Sequence, residues 1–165
     1  MRKVFFLTAF VSVLVLGTIS SAIAQKTHSA DGTSYKNAVG LGIDFGDGLT
    51  MVGVTGKHFF TDNHVGVGEV LFGDHTAKIQ AFYQFHSEIE AAPGLRWFAG
   101  VGPSLALYRR YSNFSIVPIG GLDYKIPGVP FNFSFDWRPN IVITHGGDFL
   151  PARFGLGFRY AFNDN

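Results

Sequence analysis

Residues Phe131 to Phe162 read FNFSFDWRPNIVITHGGDFLPARFGLGFRYAF, and this stretch decides the fold. Phe131, Phe133, Phe135, Trp137, Pro139, Ile141 and Ile143 fall at alternate positions, with Asn132, Ser134, Asp136, Arg138 and Asn140 between them. Beyond a connection from Thr144 to Pro151, Phe154, Leu156, Phe158, Tyr160 and Phe162 alternate in the same way with Arg153, Gly155, Gly157, Arg159 and Ala161. A strand sends successive side chains to opposite faces, whereas a helix would scatter both sets around its circumference. The stretch therefore reads as two long antiparallel strands, each with one apolar or aromatic face and one polar face.

The first residues address a compartment. Arg2 and Lys3 form a short basic region, Val4 to Leu16 an apolar run, and Ala22-Ile23-Ala24 a small-x-small site. That is the layout of a signal peptide cleaved before Gln25, and its apolar run falls short of the ~20 residues a spanning helix needs. The expected organisation is a leader over residues 1–24, a short flexible segment over 25–34 and one domain over 35–165. Cysteine is absent, so neither a lipid-modified cysteine nor a disulfide is available to the exported chain.

Without Arg2 and Lys3, eleven basic residues remain against twelve acidic ones, a formal charge near −1. Such a balance gives no support for a nucleic-acid partner. Charged residues are 15% of the chain and aromatic residues 16%, against roughly 25% charged in a typical soluble domain. So little charge is a poor match for a conventional hydrated surface.

The alternation recurs upstream. Val39, Leu41, Ile43 and Phe45 alternate with Ala38, Gly40, Gly42 and Asp44 before a turn at Gly46-Asp47-Gly48. A second run holds Val52 and Val54 and ends near Phe60. A third, from His64 to Phe72, puts Glu69 on the side of Val65, Val67 and Leu71, which predicts a bulge or a rim position there. After Gly73-Asp74-His75, Ala77, Ile79, Ala81, Tyr83 and Phe85 oppose Lys78, Gln80, Phe82, Gln84 and His86. A fifth run sets Trp97, Ala99, Val101, Pro103, Leu105 and Leu107 against Phe98, Gly100, Gly102, Ser104, Ala106 and Tyr108, and closes at Arg109 to Ser112. A sixth covers about Asn113 to Lys125. The chain thus predicts an all-β protein: an eight-stranded antiparallel up-and-down barrel following the leader.

Such a barrel can turn its apolar faces inward, as a soluble lipocalin-like ligand carrier does, or outward, as a transmembrane barrel does. Volume favours the second, because an eight-stranded barrel is only just wide enough to be filled by side chains and cannot take in the aromatic residues of every apolar face. Glycine at 40, 42, 100, 102, 155 and 157 likewise suits the crowded inner side of a wall better than a hydrated surface. The reading then assigns Asp44, Lys78, Gln80, Gln84, His86, Asp123, Asp136, Arg138, Arg153 and Arg159 to a polar network that plugs the lumen. Trp97, Phe131, Phe133, Phe135, Trp137, Phe154, Phe158, Tyr160 and Phe162 become lipid-facing or girdle aromatics, with Tyr108 and Tyr124 also near strand ends.

From Lys36 to Phe162, in strand number, alternation and the closing strand Phe154-x-Leu156-x-Phe158-x-Tyr160-x-Phe162, the chain resembles the small eight-stranded outer-membrane barrels of Gram-negative bacteria, of the OmpX and OmpA-barrel kind. The resemblance implies a monomer in the cell outer membrane, with both termini periplasmic. It implies membrane lipids, lipopolysaccharide among them, and the outer-membrane assembly machinery as partners, and no cofactor. The closing strand looks like that family's C-terminal assembly signal, although Asn163-Asp164-Asn165 follows where the family often ends on the aromatic residue. The outward connections, at Gly46 to Gly48, Gly73 to His75, Arg109 to Ser112 and Thr144 to Pro151, are shorter than the family's usual outer loops.

Chemical motifs are sparse. His86-Ser87-Glu88 holds the residue types of the lipid A deacylases found among such barrels, which gives a lipid A or phospholipid-modifying enzyme as the alternative function. Adjacent strand residues face opposite ways, however, so His86 and Ser87 cannot form a local pair. His145-Gly146-Gly147-Asp148 supplies two metal-ligand types where a site needs more. His58, His64 and His75 lie near turns, and Gly40-x-Gly42 and Gly66-x-Gly68 lack the strand-to-helix setting of a phosphate loop. Arg109-Arg110-Tyr111 could grip a lipopolysaccharide phosphate at the rim, or simply flank a strand.

Overall fold

The computed structural model describes residues 35–144 and 146–162, so the expected leader, the 25–34 segment, His145 and the terminal Asn163-Asp164-Asn165 lie outside the described residues. Ten strands follow one another: β1 (Asn37–Gly46), β2 (Leu49–Phe59), β3 (His64–Gly73), β4 (Thr76–Glu88), β5 (Leu95–Tyr108), β6 (Ser112–Lys125), β7 (Phe131–Trp137), β8 (Asn140–Val142), β9 (Asp148–Leu150) and β10 (Arg153–Phe162). All pairings are antiparallel between neighbours, β1 pairs β10, and the remaining β5–β6 pairing closes the sheet. β7 with β8 and β9 with β10 each make one interrupted strand, so the wall is a closed eight-stranded barrel.

Proline explains one interruption. β6 pairs β7 through Gly120↔Trp137 and β8 through Ile116↔Ile141 at the same offset, which sets Pro118 opposite Pro139. Neither residue has an N–H to give, so the ladder lapses between them. Pro139 is buried there and does not extend the open apolar face of Phe131 to Ile143, as the alternation had predicted. The second interruption is a bulge. Arg138 N donates to Arg153 O, yet Asn140 pairs Leu150, so two steps on one strand face three on the other across Pro151 and Ala152. Trp137 Nε1 caps the bulge by donating to the Pro151 carbonyl at 2.6 Å. No bulge occurs at Glu69, where β3 stays in register with both neighbours. The last outward connection is also shorter than expected, because β9 begins at Asp148.

The β1–β2 turn shows how locally the meander is encoded. Asp47 and Gly48 both have positive φ, 45° and 77°, the pair of left-handed conformations that a two-residue hairpin matching the twist of its strands requires.

Register also fixes the tilt. Stepping across the wall from Phe45 through Phe154, Trp137, Gly120, Ala99, Phe85 and His64 to Phe60 leads back to β1 beside Tyr35, ten residues below the start. A stagger of that size over eight strands inclines them by about 40° to the barrel axis. A line perpendicular to the strands therefore descends, from β1 through β10, β7 and β6, toward the mouth that carries both termini.

Candidate functional site

The interior is the most organised polar feature of the molecule. Asp44, Lys78, Gln80, Gln84, His86, Asp123, Asp136, Arg138, Arg153 and Arg159, the ten residues assigned to the inner face, are all buried. Lys57, Glu69 and Lys125 are buried with them, so among the described residues six basic and four acidic side chains lie inside. Charges withdrawn from water are tolerated only when paired and hydrogen-bonded.

Three clusters do this. Asp44 on β1 accepts from Lys78 Nζ on β4 at 2.8 Å, from Arg153 Nε on β10 at 2.9 Å and from Arg153 Nη2. At the centre, Arg138 donates through Nε and Nη2 to the two oxygens of Asp136, at 2.5 and 2.7 Å, and through Nη1 to Glu69 Oε2 at 2.7 Å. Its guanidinium also lies 5.4 Å from the centre of the Phe82 ring. Gln80 ties the two clusters together, donating to Glu69 at 2.7 Å and to Asp44 at 3.4 Å. The third cluster pairs Lys57 on β2 with Asp123 on β6, which also accepts from Asn132 Nδ2 at 2.7 Å and from the Tyr35 hydroxyl at 3.3 Å. Arg159 bridges the wall, donating to Thr55 at 3.0 and 3.1 Å and to Ser134 at 2.8 Å, with Glu69 at 3.6 Å.

Glycine makes room for these arginines. A Cβ on Gly155 would overlap the Arg138 guanidinium, and one on Gly157 would overlap Arg159 Nη1. The recurring glycines of the closing strand are thus the sockets of the two plugs. An apolar interior cluster including Tyr35, Phe59, Val65, Val67, Phe82 and Phe98 fills the remaining space. His86 belongs to it, fully buried, with its ring stacked 4.9 Å from that of Phe98 and Nε2 2.9 Å from Gln84 Oε1.

The sequence reading assigns neither Glu69, which it takes for a bulge or rim position, nor Lys57 nor Tyr35 to the lumen network. For Glu69 the signal was present: it shares parity with Val65, Val67 and Leu71, all of them buried. In β3 the apolar side faces in and the glycines 66 and 68 face out, so the side called apolar was the interior. Lys57 lies on the side of β2 opposite Val52 and Val54, so its parity was a signal too, but its partner, 66 residues away, was not legible locally.

The outer wall is the inverse. Trp97, Phe131, Phe133, Phe135, Trp137, Phe158, Tyr160 and Phe162 are exposed and Phe154 is half-buried, in contact with Phe45 and Phe135. Among the described residues, 28 large apolar side chains are exposed while only 13 apolar residues form the interior, a distribution opposite to that of a hydrated globule. Tyr108 does not join the outer set: half-buried at the end of β5, it stacks on Tyr111 at 4.6 Å.

The motifs with chemical potential do not converge. His86 is sealed inside while Ser87 occupies the outward parity of β4, and Arg96 pairs with Glu88 at the rim at 2.5 Å. His58 Nδ1 lies 2.7 Å from Asn37 Oδ1, His64 Nδ1 lies 2.8 Å from the Tyr83 hydroxyl, and His75 sits beside Asp74 in an open turn. Asp148 accepts from the Phe149 amide at 2.8 Å, as a turn carboxylate does. Arg109 and Arg110 are exposed, and Gly40 and Gly42 line strand β1. Among the described residues, no group of three His, Cys, Asp or Glu side chains is placed to hold a metal. Comparison with family models, curated proteins and solved structures found no match for the chain.

Proposed function

We propose that this chain is an integral outer-membrane β-barrel with a structural or envelope-interaction role, and that its lumen is closed by polar side chains. The observation that carries the reading is the inverted partition of the wall, with paired charges inside and Phe, Leu, Val and Trp outside. Strands β1 to β6, of 10 to 14 residues, are long enough for the ~9 to 11 that a strand tilted at ~45° needs to cross a bilayer. A closed barrel also leaves no unpaired strand edge for lipid to meet. The export leader read from residues 1–24 supplies the route, and the crossed ion pairs favour a plugged cylinder over a channel.

The soluble ligand-carrier reading needs an apolar cavity inside and water outside, and it gains no support from this wall. The lipid A enzyme reading needs a nucleophile and base on one face, and His86 and Ser87 lie on opposite ones. The deciding experiment is cell fractionation combined with gel mobility before and after boiling in detergent. The reading expects recovery with the outer membrane and a heat-dependent shift in migration. Recovery in the soluble periplasm without a shift overturns it, and an altered lipid A mass spectrum on deletion turns it toward the enzyme.

A further inference from the structure

The outer wall is not uniform. A hollow of about 430 Å³ crosses four strands on the side where the barrel closes, within the ~300 to 1,000 Å³ of pockets that hold small ligands. One bank is the registered row Leu41, Phe158, Phe133 and Tyr124. The other is the row two residues along, Ile43, Leu156, Phe135 and Leu122. The floor between them is the backbone of Gly157 and Ser134, whose side-chain positions face the lumen: a Cβ on Gly157 would meet Arg159, and the Ser134 hydroxyl accepts from Arg159 Nη1. The lining therefore offers hydrocarbon and almost no polar contact.

Geometry constrains the occupant. Three strand spacings make the hollow ~14 Å long, and at the ~40° strand tilt it descends about 9 Å along the barrel axis, which falls within the ~15 Å depth of hydrocarbon in one leaflet. It follows the line perpendicular to the strands, so it descends obliquely from β1 to β6, toward the mouth that carries both termini. Its lower end is Tyr124, the one residue of the banks with an apolar body and a hydroxyl, the combination that settles at a headgroup boundary. A second copy of the barrel would meet this slot with a convex wall, and a polar ligand would find no partner in it.

We propose that this hollow is a seat for one acyl chain of a phospholipid of the leaflet on the terminus-bearing side, with its polar end at Tyr124. The inference rests on the membrane reading above. It is tested with the full barrel in nanodiscs of phosphatidylethanolamine and phosphatidylcholine, released for native mass spectrometry. The barrel is expected to retain one phospholipid. Leu156→Trp fills the middle of the slot and Leu122→Trp its lower end, and each is expected to lower retention at least about tenfold, a change of ~1.4 kcal/mol. Val101→Trp, on the exposed outer face of β5, is expected to retain lipid as the parent does.

Retention unchanged by both filling variants overturns the proposal, as does retention lost equally in Val101→Trp. Preferential retention of added lipopolysaccharide at the same slot overturns the phospholipid assignment. Gel mobility in the same samples separates the two readings. Absence of a heat-dependent shift and of insertion rejects the membrane barrel itself, whereas insertion without a retained lipid rejects only the seat.

Discussion

Replacing Arg138 with alanine tests the interior most directly. The side chain is 2% exposed, its Nε and Nη2 serve both oxygens of Asp136, and its Nη1 serves Glu69. After the change, Glu69 keeps Gln80 at 2.7 Å and Thr55 at 3.2 Å, with Arg159 at 3.6 Å. Asp136, itself 2% exposed, loses the cation that faces it. Removing one partner of a buried ion pair typically costs ~3 to 5 kcal/mol, because the remaining charge stays desolvated. The expected loss for Arg138→Ala is of that order, and the orphaned carboxylate of Asp136 accounts for most of it. Arg138→Ala with Asp136→Ala removes both charges and is expected to be less damaging than Arg138→Ala alone. Urea titration of the barrel in detergent micelles measures both, followed by the emission of its two tryptophans, one of which is Trp137, next in sequence to the altered site. A single variant within about 1 kcal/mol of the parent, or a double variant less stable than the single, refutes the reasoning.

Arg159→Ala is expected to cost less than Arg138→Ala, since its donors go mainly to hydroxyls and its carboxylate contact is 3.6 Å long; the same titration ranks the two. Gly155→Ala should destabilise by ~1 to 3 kcal/mol through overlap with the Arg138 guanidinium, and by clearly less when Arg138→Ala is already present, so equal penalties in both backgrounds would contradict the socket. Lys57→Met leaves Asp123 with only Asn132 and Tyr35 and is expected to cost ~3 to 5 kcal/mol, partly recovered by adding Asp123→Leu; thermal unfolding in detergent reads both. Val101→Arg, midway along β5, should cost ~2 to 4 kcal/mol in lipid vesicles and Phe162→Arg, at the last described strand position, ~0 to 1, and the reverse order would place the bilayer elsewhere.

The strand pattern was legible wherever one face was mainly polar. In β4 and β10 the alternation of Lys78, Gln80 and His86, or of Arg153, Gly155 and Arg159, gives inside and outside directly, because each side chain's parity is a local property. β3 misled because its outward side is glycine at 66 and 68, so Val65, Val67 and Leu71 looked like the exterior and Glu69 like an intruder. Pro139 misled because parity says nothing about a ladder that fails when a second proline, Pro118, arrives opposite. The partners inside the barrel were not legible at all. Which carboxylate Lys57 or Arg138 would reach depends on stagger and closure, and those are properties of the assembled wall.

That long reach bears on how such a barrel can be built. Asp44 on β1 needs Lys78 on β4 and Arg153 on β10, Glu69 on β3 needs Arg138 beyond β7, and Lys57 on β2 needs Asp123 on β6, at separations of 34 to 109 residues. Among the described residues, the buried ion pairs join strands that are not consecutive in the chain, apart from Asp136 and Arg138 within one segment. A hairpin entering hydrocarbon alone would bring in bare charge, at several kcal/mol per ion. For a barrel that sits in a bilayer as proposed, assembly one hairpin at a time is therefore disfavoured, and the strands are expected to gather around their charges first, with the wall nearly complete before lipid surrounds it.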